Sequence, residues 1–354
     1  MVIVVNGTND PANITGLSQG STIEDSSAAV TGKLDVTDVD DGESRFTAKS
    51  YTGSHGSLTM QADGHWSYTL DNQDSAVQAL PDQSQLTDTI SVTSVDGTTH
   101  QIEITVVGQN DAASINGRAT RTVREDSSLN KSGELHTQGD LTISDKDTGE
   151  DHFIAQQHVQ GKYGVFNLEA NGHWTYRADN SQSAIKDLHD GEHLTDTLVV
   201  QSADGSATEK LTAVIEGTND APVFSAINDA MGSEGGSIFH GRLSATDIDD
   251  SSLTYSVKNP PAGFTLDPDG QWHFDPSDPA YNSIAEGQRK DLVIAVEVSD
   301  GHGGIDVQDL TIHVLGTNDV PTVTPVQNLQ VSDSDSSFKF NATDFGLNDV
   351  DGDN

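Results

Sequence analysis

The feature that most constrains this chain is a long internal repeat. The tetrapeptide Gly-Thr-Asn-Asp occurs at residues 7–10, 217–220 and 316–319, and the near-copy Gly-Gln-Asn-Asp lies at residues 108–111. The leading glycines are 101, 109 and 99 residues apart. Solenoid repeats are about 20–50 residues long, so units of the present length can each have a hydrophobic core of their own. The chain is therefore predicted to fold as a row of similar domains.

Three further markers recur in a fixed order inside each interval. An Asp-x-Asp comes first, a Gly-x-Trp after a turn residue comes second, and a late Asp-Gly comes third. The Asp-x-Asp pairs are Asp38/Asp40, Asp145/Asp147 and Asp247/Asp249, the tryptophans are Trp66, Trp174 and Trp272, and the late aspartates are Asp96, Asp204 and Asp300. These markers predict the last strand of a preceding module at 1–8, three complete modules at 9–109, 110–218 and 219–317, and the truncated start of a fourth module at 318–354.

The residue pattern predicts strands. Segments such as 58–62 and 66–70 alternate apolar with small polar residues, as half-buried strands do. The Asp-Gly and Asn-Gly dipeptides favour hairpin turns, because Gly tolerates positive φ. Single helical turns are predicted at Ser75–Leu80 and Ser183–Leu188. A unit of about 100 residues with about seven short strands is typical of an antiparallel β-sandwich. The predicted class is therefore all-β, with one tryptophan in each core.

The net charge excludes several classes of function. The chain has 17 Lys+Arg against 56 Asp+Glu, of which 43 are Asp, and its net charge is −39. Such a charge repels phosphate backbones and anionic lipid headgroups, so neither nucleic-acid binding nor membrane association is expected. Apolar runs such as Val2–Val5 are too short to insert across a bilayer. Because the chain has no Cys, it has no disulfides and no thiolate metal site.

The aspartates of the markers are candidate calcium ligands. In an extended Asp38-Val39-Asp40 segment the two carboxylates point the same way. Ca²⁺ takes about six to eight hard oxygen ligands, whereas Mg²⁺ requires a tighter octahedron and keeps its waters. Several carboxylates gathered at one junction repel one another unless a divalent cation or protons intervene. The alternative interpretation is that each Asp or Asn only forms a turn or raises solubility.

The ordered markers resemble the VCBS repeat of very large bacterial surface proteins, including RTX-type biofilm adhesins. The resemblance rests on the Gly-Thr-Asn-Asp-Ala-Pro of residues 217–222, the early Asp-x-Asp, the central Asp-Gly-x-Trp and the late Asp-Gly, and it covers nearly the whole chain. It implies tandem cadherin-like or immunoglobulin-like antiparallel β-sandwich modules in an extended rod, with calcium at the module junctions. It also implies an extracellular location on the bacterial cell surface and export by a type I system.

The resemblance further implies which residues hold calcium at each junction. The leading junction would use Asn9, Asp10, Asp38, Asp40 and Asp96. The junction between modules 1 and 2 would use Glu24 or Asp25, Asp71, Asn110, Asp111, Asp145, Asp147 and Asp204. The next junction would use Glu125 or Asp126, Asp179, Asn219, Asp220, Asp247, Asp249 and Asp300. The last would use Glu234, Asp275, Asn318 and Asp319, completed by Asp349, Asp351 and Asp353.

The function predicted from these residues is a calcium-stiffened extender, or stalk, of a bacterial cell-surface adhesin that supports cell adhesion and biofilm formation. Without calcium, short connectors flanked by mutually repelling acids are expected to swivel. With calcium, ligands from two modules would fix one relative orientation and add to folding stability. The expected partners are the neighbouring modules of the same polypeptide, with surface glycans or proteins contacted through other domains.

The alternative function is a calcium-dependent glycan- or peptide-binding module of the same type of surface protein. Such a module needs exposed aromatic side chains near a calcium ion, and the candidates are Tyr51, Tyr163, Tyr281, Phe264 and the Pro260-Pro261 pair. A glycan array in calcium would distinguish this function from that of a stalk.

Catalysis is not predicted. The chain has no nucleophile-elbow, zinc-protease, P-loop or dinucleotide-binding motif. The acids recur in every module, whereas an active site is normally built once. His65 and His173 recur beside the tryptophan and are interpreted as exposed strand residues rather than transition-metal ligands.

Overall fold

The structure is a computed structural model that describes residues 1–324, 337, 339 and 346–352. The regular secondary structure of these residues is almost entirely β-strand. The one helix among them, α1, spans Ser183–Lys186. Within the same ranges, no helix is both long and apolar enough to cross a membrane. The prediction of an all-β chain is confirmed. Below, repeats 1, 2 and 3 denote residues 9–109, 110–218 and 219–317.

Repeat 1 forms two sheets around one core. Its strands are β1 (Asn13–Gly16), β2 (Gln19–Ile23), β3 (Val30–Thr37), β4 (Lys49–Thr52), β5 (Gly56–Met60), β6 (His65–Leu70), β7 (Gln85–Thr93) and β8 (Thr99–Val107). One sheet has the order β1-β3-β6-β5-β4 and the other has the order β2-β8-β7. Leu34 and Trp66 from the first sheet and Ile90 and Ile104 from the second belong to one buried cluster, so repeat 1 is a β-sandwich.

Repeat 2 has the same arrangement of strands. They are β9 (Ser114–Gly117), β10 (Thr120–Arg124), β11 (Glu134–Ser144), β12 (Gln156–Gln160), β13 (Gly164–Leu168), β14 (His173–Asp179), β15 (His193–Gln201) and β16 (Thr208–Glu216). The sheet orders are β12-β13-β14-β11-β9 and β10-β16-β15. Each position in these sheets corresponds to one in repeat 1, so the common markers specify a common topology.

Repeat 3 keeps the sandwich but divides one sheet. Its strands are β17 (Val223–Phe224), β18 (Ala230–Ser233), β19 (Phe239–Arg242), β20 (Ala245–Thr246), β21 (Thr254–Val257), β22 (Phe264–Leu266), β23 (Gln271–Phe274), β24 (Arg289–Ser299) and β25 (Ile305–Leu315). The sheets are β18-β25-β24-β21, β19-β23-β22 and β17-β20. The segment that is one strand in β3 is broken here into β19 and β20.

The sandwiches are not purely antiparallel, which corrects the prediction. Strand β2 runs parallel to β8, and β18 runs parallel to β25. In both repeats the early strand joins the sheet that contains the last strand, and the two strands enter that sheet in the same direction. Alternation of side chains along the sequence does not record strand direction, so this pairing was not predictable from it.

The two ends of the chain differ. Residues 1–12, which include the strand predicted at 1–8, contain no strand. At the other end, β26 (Thr322–Thr324) pairs antiparallel with β27 (Gly346–Asn348), as β1 pairs with β3. Both β3 and β27 lead directly into an Asp-x-Asp.

The tryptophans fill the cores, as predicted from their recurrence. Trp66, Trp174 and Trp272 are 2%, 0% and 6% exposed. Each lies opposite a glycine on a paired strand, at Gly32, Gly139 and Gly241. An added Cβ at these glycines would lie 2.3–2.7 Å from the indole ring, so only glycine leaves room for it. The tryptophans therefore have a packing role.

The predicted turns are also present. Gly64, Gly172 and Gly270 precede the tryptophan strands with φ of 91°, 90° and 89°, a conformation that favours glycine. Helix α1 lies inside the helical turn predicted at 183–188. The corresponding segment of repeat 1 is a turn, in which the Gln78 amide donates to the Asp74 carbonyl.

A buried tyrosine–aspartate pair distinguishes repeats 1 and 2 from repeat 3. The Tyr176 hydroxyl donates to Asp196 over 2.7 Å, and the Tyr68 hydroxyl donates to Asp88 over 2.9 Å. Asp196 also accepts bonds from three backbone amides, those of Lys162, Tyr163 and Gly164. By strand register the same two positions in repeat 3 are Phe274, which is buried, and Leu292, which is partly buried against the same core. The core thus accommodates either a polar or an apolar pair.

The chain divides into two compact units. The first consists of Met1–Val123, Glu134–Asp179 and Thr195–Val214. The second consists of Arg124–Gly133, Asn180–Leu194 and Ile215–Asn354. The junction of repeats 1 and 2 lies within the first unit and the junction of repeats 2 and 3 lies within the second.

The unequal bonding of Tyr176 and Asp196 predicts unequal losses on substitution. Tyr176→Phe removes one hydrogen bond and should lower the free energy of unfolding by about 1 kcal/mol. Asp196→Ala leaves three backbone donors without an acceptor and should cost at least about 3 kcal/mol. Urea unfolding followed by Trp174 fluorescence, with Trp66 and Trp272 replaced by Phe, measures both losses in repeat 2. Equal losses would contradict the structural role assigned to the amide bonds.

Candidate metal centres

One backbone-to-carboxylate hydrogen bond recurs at all four junctions. The connector is here the Asn-Asp dipeptide at residues 9–10, 110–111, 219–220 and 318–319. The backbone amide of its aspartate donates to Oδ2 of the second aspartate in the next Asp-x-Asp along the chain. The pairs are Asp10–Asp40 at 2.9 Å, Asp111–Asp147 at 2.8 Å, Asp220–Asp249 at 3.2 Å and Asp319–Asp351 at 2.7 Å. The Asn-Asp marker and the Asp-x-Asp marker, about 30 residues apart in sequence, therefore meet in space, as the family resemblance implied.

A second recurring bond fixes the Asp-x-Asp itself. The amide of its second aspartate donates to Oδ1 of its first. The pairs are Asp40–Asp38 at 2.8 Å, Asp147–Asp145 at 2.9 Å, Asp249–Asp247 at 3.1 Å and Asp351–Asp349 at 3.1 Å. Each carboxylate thus uses one oxygen for the backbone and keeps the other free.

The connector asparagine contacts the aspartate of the late Asp-Gly at the two internal junctions. Asn110 Nδ2 donates to Asp204 Oδ2 over 3.3 Å, and Asn219 Nδ2 donates to Asp300 Oδ2 over 2.8 Å. At the leading junction the Ala12 amide donates to Asp96 Oδ2 over 3.0 Å. The asparagine side-chain amide also donates to the carbonyl of the following aspartate at every junction. This leaves the asparagine Oδ1 as an available acceptor, and in Asn219 that atom is buried without a hydrogen bond.

The oxygens left over by these bonds are buried and have no hydrogen-bond donor. They belong to equivalent atoms in different repeats: Asp38 Oδ2, Asp145 Oδ2 and Asp247 Oδ2 from the first aspartate, Asp147 Oδ1, Asp249 Oδ1 and Asp351 Oδ1 from the second, and Asp111 Oδ2, Asp220 Oδ2 and Asp319 Oδ2 from the connector. A buried anionic oxygen without a partner is costly. Its recurrence at equivalent atoms indicates a ligand rather than a local defect.

The preceding repeat contributes a buried glutamate. Glu24, Glu125 and Glu234 are 2%, 0% and 4% exposed, whereas the neighbouring Asp25 and Asp126 are exposed. Both carboxylate oxygens of Glu125 and of Glu234 lack a hydrogen bond. Glu24 differs, since it accepts from the Gln109 amide and from Gln78. Where the sequence left a choice between Glu and Asp, burial favours the glutamate.

Two lysines enter the junctions, and neither was predicted from the sequence. Lys146 Nζ lies 3.0 Å from Asp111 Oδ1. Lys186 Nζ contacts Asp126 and lies 3.5 Å from Glu125 and 3.9 Å from Asp220. Each ammonium group offsets part of the local negative charge. Lys146 lies between the two aspartates of an Asp-x-Asp, and this position in the sequence could have identified it as a junction residue.

Two further acids were also missed. Asp38, Asp40 and Glu43 form one cluster, and Asp145, Asp147 and Glu150 form another, with carboxylate oxygens within 4.8 Å of one another in each cluster. One oxygen of Glu43 and one of Glu150 is buried and unbonded. A glutamate three residues after the second aspartate is present in both repeats, and this spacing could have identified them.

The mid-module acids of the predicted sets are Asp71, Asp179 and Asp275. Asp71 accepts from the Gln73 amide and Asp275 accepts from Ser277, so both close local turns. In repeat 2 the residue after Asp179, Asn180, donates to Asp126 at the junction over 2.7 Å. The role of the three acids as calcium ligands stays a prediction. Asp353 lies outside the described residues.

The carboxyl groups show the electrostatic cost of this clustering. Burial, together with the nearby Asp126 and Asp220, raises the pKa of Glu125 to about 7, against the opposing effect of Lys186. Burial followed by neighbouring carboxylates also raises the pKa values of Glu24, Glu234 and Asp147. Asp204 differs, because hydrogen bonds from Ser202 and Ser206 outweigh its burial and lower its pKa to about 2. The clustered carboxylates thus favour the binding of protons or cations at the junctions.

The aromatic candidates for ligand stacking are not free surface groups. Tyr281 and Phe264 are buried in the core of repeat 3, and the Tyr281 hydroxyl donates to the Ala262 carbonyl. The Tyr51 hydroxyl accepts from the Thr93 amide in repeat 1. Lys162 lies over the ring of Tyr163. These contacts do not favour a lectin-like site.

The donor set of the junctions fits calcium. The unbonded atoms are carboxylate oxygens with one amide oxygen, and hard oxygens of this kind are the ligands that Ca²⁺ prefers. Among the described junction acids, Asp220 and Asp247 also have pKa values raised first by burial, so a divalent cation would relieve the charge that the fold confines.

Comparison with known proteins identifies the family. A family model described as the bacterial cadherin-like domain matches residues 9–108, 110–217 and 219–316. The chain therefore belongs to the bacterial cadherin-like domain family and contains three copies of that domain. Cadherin-like repeats are structural and adhesive modules of extracellular proteins, and this match indicates no enzymatic family.

Among solved structures, the chain is similar to protocadherin ectodomains. The protocadherin gamma-B4 extracellular domain is 14% identical with a TM-score of 0.46, and the match covers 91% of this chain and 52% of that one. Cadherin domains 1–5 of protocadherin gamma-B2 are 16% identical with a TM-score of 0.47, covering 88% of this chain and 60% of that one. This chain thus spans about half to three fifths of their length. A search of curated proteins found no match.

The raised pKa of Glu125 predicts a pH dependence of the metal-free protein. Its value of about 7 exceeds the ordinary 4.5, so the folded state binds this proton more tightly than the unfolded chain does. Stability should therefore fall as pH rises from about 4.5 to 7. In EDTA, the melting temperature should fall less steeply over this range for Glu125→Gln than for the wild type. The exposed Glu286→Gln should keep the wild-type slope, and equal slopes for all three proteins would contradict the prediction.

Proposed function

We propose that this chain is a calcium-stiffened extender region of a bacterial cell-surface adhesin, which supports cell adhesion and biofilm formation. The observation that carries the proposal is the recurrence of unbonded, buried oxygens on equivalent atoms at successive junctions. The tandem bacterial cadherin-like domains support the extracellular, adhesion-type part of it. The VCBS-like markers support the finer assignment to an RTX-type adhesin exported by a type I system.

The proposed domain limits follow the connectors. Each module would begin at an Asn-Asp, which gives modules at 9–109, 110–218 and 219–317 and the start of a fourth at 318–354. With these limits each of the two internal junctions combines a glutamate of one module with the Asp-x-Asp and the late aspartate of the next.

At the two internal junctions the calcium ligands would come from both modules. Between modules 1 and 2 they would be Glu24, Asn110, Asp111, Asp145, Asp147, Glu150 and Asp204. Between modules 2 and 3 they would be Glu125, Asn219, Asp220, Asp247, Asp249 and Asp300. Bound calcium would supply the positive charge that these carboxylates lack.

The two outer junctions would use equivalent residues. The leading one would use Asn9, Asp10, Asp38, Asp40, Glu43 and Asp96, and the last would use Glu234, Asn318, Asp319, Asp349 and Asp351.

The mechanical function follows from linkage. An ion that binds only when two modules are correctly oriented stabilises that orientation, by about 2.7 kcal/mol for each site when calcium is a hundredfold above its Kd. Without the ion, like charges around each connector repel. The neighbouring modules are the partners in this function, and any adhesion target would be contacted through other domains.

Calcium removal should soften and destabilise the protein. EDTA is expected to lower the melting temperature and to change the hydrodynamic radius and the small-angle scattering profile, relative to protein in calcium chloride. Asp247→Asn with Asp249→Asn should remove part of the calcium effect. Asp269→Asn, which changes an exposed turn aspartate of the same repeat, should leave it intact. Identical melting and scattering curves with and without EDTA would exclude the proposed function.

Lys186 should compete with calcium. Lys186→Met removes the ammonium group that lies 3.9 Å from Asp220. We expect calcium affinity at this junction to rise about tenfold, because a positive charge leaves the site, while stability in EDTA falls. Calorimetric calcium titration measures the first effect. The exposed Lys210→Met is the matched control, and equal calcium affinities for the two variants would show that Lys186 does not oppose the ion.

A further inference from the structure

Two histidines and an aspartate converge beside the junction of repeats 2 and 3. His302 Nδ1 lies 2.8 Å from Asp250 Oδ2, and His189 Nδ1 lies 3.8 Å from the same oxygen. Each residue offers one ligand atom, and these three atoms all lie within 4.8 Å of one another. The two imidazole rings are 5.6 Å apart between centroids. The three side chains therefore form one compact cluster.

An ion pair does not account for this arrangement. The contact between His302 and Asp250 is an ordinary hydrogen bond. His189 Nδ1, in contrast, is buried and has no hydrogen-bond partner, and Asp249 Oδ2, at 3.7 Å, is too far away to supply one. An imidazole nitrogen held at this distance from a carboxylate and a second imidazole has the position of a metal ligand.

The set is not repeated at the equivalent positions of the junction between repeats 1 and 2, although the fold is repeated there. Aligned on the markers, the positions of His189, Asp250 and His302 are Pro81, Thr148 and Ser206 at the junction of repeats 1 and 2. None of those three residues carries an imidazole or a carboxylate. The histidines thus do not follow from the common fold, and the junction of repeats 1 and 2 provides a comparison within the same chain.

The donor types distinguish this site from the calcium junctions. Neutral imidazole nitrogens with one carboxylate suit Zn²⁺, Cu²⁺ or Ni²⁺, whereas Ca²⁺ takes oxygen ligands. The atoms are also different from the candidate calcium ligands. Asp250 and the histidines are outside that set, while Asp249 Oδ2 accepts the Asp220 amide and its Oδ1 is buried without a hydrogen bond. A metal here does not require that calcium binds.

We propose that His189, Asp250 and His302 form a transition-metal site, with Zn²⁺ as the expected ion, that connects repeats 2 and 3. His189 belongs to the turn after helix α1 of repeat 2, and the other two residues belong to repeat 3. Three protein ligands leave one tetrahedral position of Zn²⁺ for water or for another ligand. The ion would join two modules through nitrogen donors, in addition to any oxygen-bound ion.

Zinc titration of the tag-free chain tests the proposal. In excess calcium chloride, calorimetry with ZnCl₂ should show one high-affinity zinc per chain. His302→Ser, which introduces the residue found at this position in repeat 2, and His189→Gln should each weaken zinc binding at least about tenfold. CoCl₂ should give the visible absorption of a four-coordinate cobalt(II) ion in the wild type and not in either variant.

His173→Gln is the matched control, because His173 also contacts one carboxylate, that of Asp140 at 2.8 Å, on the surface of repeat 2. It should bind zinc as the wild type does. High-affinity zinc that survives His189→Gln would reduce the site to a single histidine–aspartate pair and overturn the proposal. The absence of high-affinity zinc in the wild type would overturn it as well, and neither result would bear on calcium binding.

Discussion

The hydrogen bond from the connector amide to the second aspartate of the Asp-x-Asp determines most of the chemistry of this chain. It uses one carboxylate oxygen of that aspartate and leaves the other buried without a hydrogen bond in Asp147 and Asp249. The geometry is set by the backbone, so it survives large differences in the intervening sequence. A β-sandwich that begins each repeat with Asn-Asp thereby accumulates acids at a fixed place, and this accumulation requires positive charge from elsewhere.

The chain supplies that charge in two ways. A lysine covers part of each internal junction, through Lys146 in one and Lys186 in the other. The remaining oxygens stay unbonded, and the buried glutamates in particular have pKa values raised by burial. The lysines thus neutralise only part of the negative charge that the fold gathers at the internal junctions.

Much of the fold and part of the site could be predicted from the sequence. Alternation, turn dipeptides and the recurring Trp66, Trp174 and Trp272 were sufficient for the sandwich and its cores, since these signals are local. The meeting of Asn-Asp with Asp-x-Asp was implied by the family resemblance. Parallel pairing of β2 with β8 was not predictable, because alternation carries no direction. The contacts of Lys146 and Lys186 were not predicted either, because they depend on which side chains the fold brings to a junction.

The two lysines reach their junctions from opposite sides, and this affects the order in which the repeats can be joined. Lys146 is carried by the upper repeat of its pair, and Lys186 by the lower repeat of the next. The partners at those positions are neutral, Gln78 in one case and Ile248 in the other. Rearranging the repeats would therefore change the balance between lysines and acids at a junction. Two copies of repeat 2 in succession would place both ammonium groups at one junction. Repeat 1 joined directly to repeat 3 would have no lysine at these positions. Neighbours in this array are matched to each other and are not interchangeable parts.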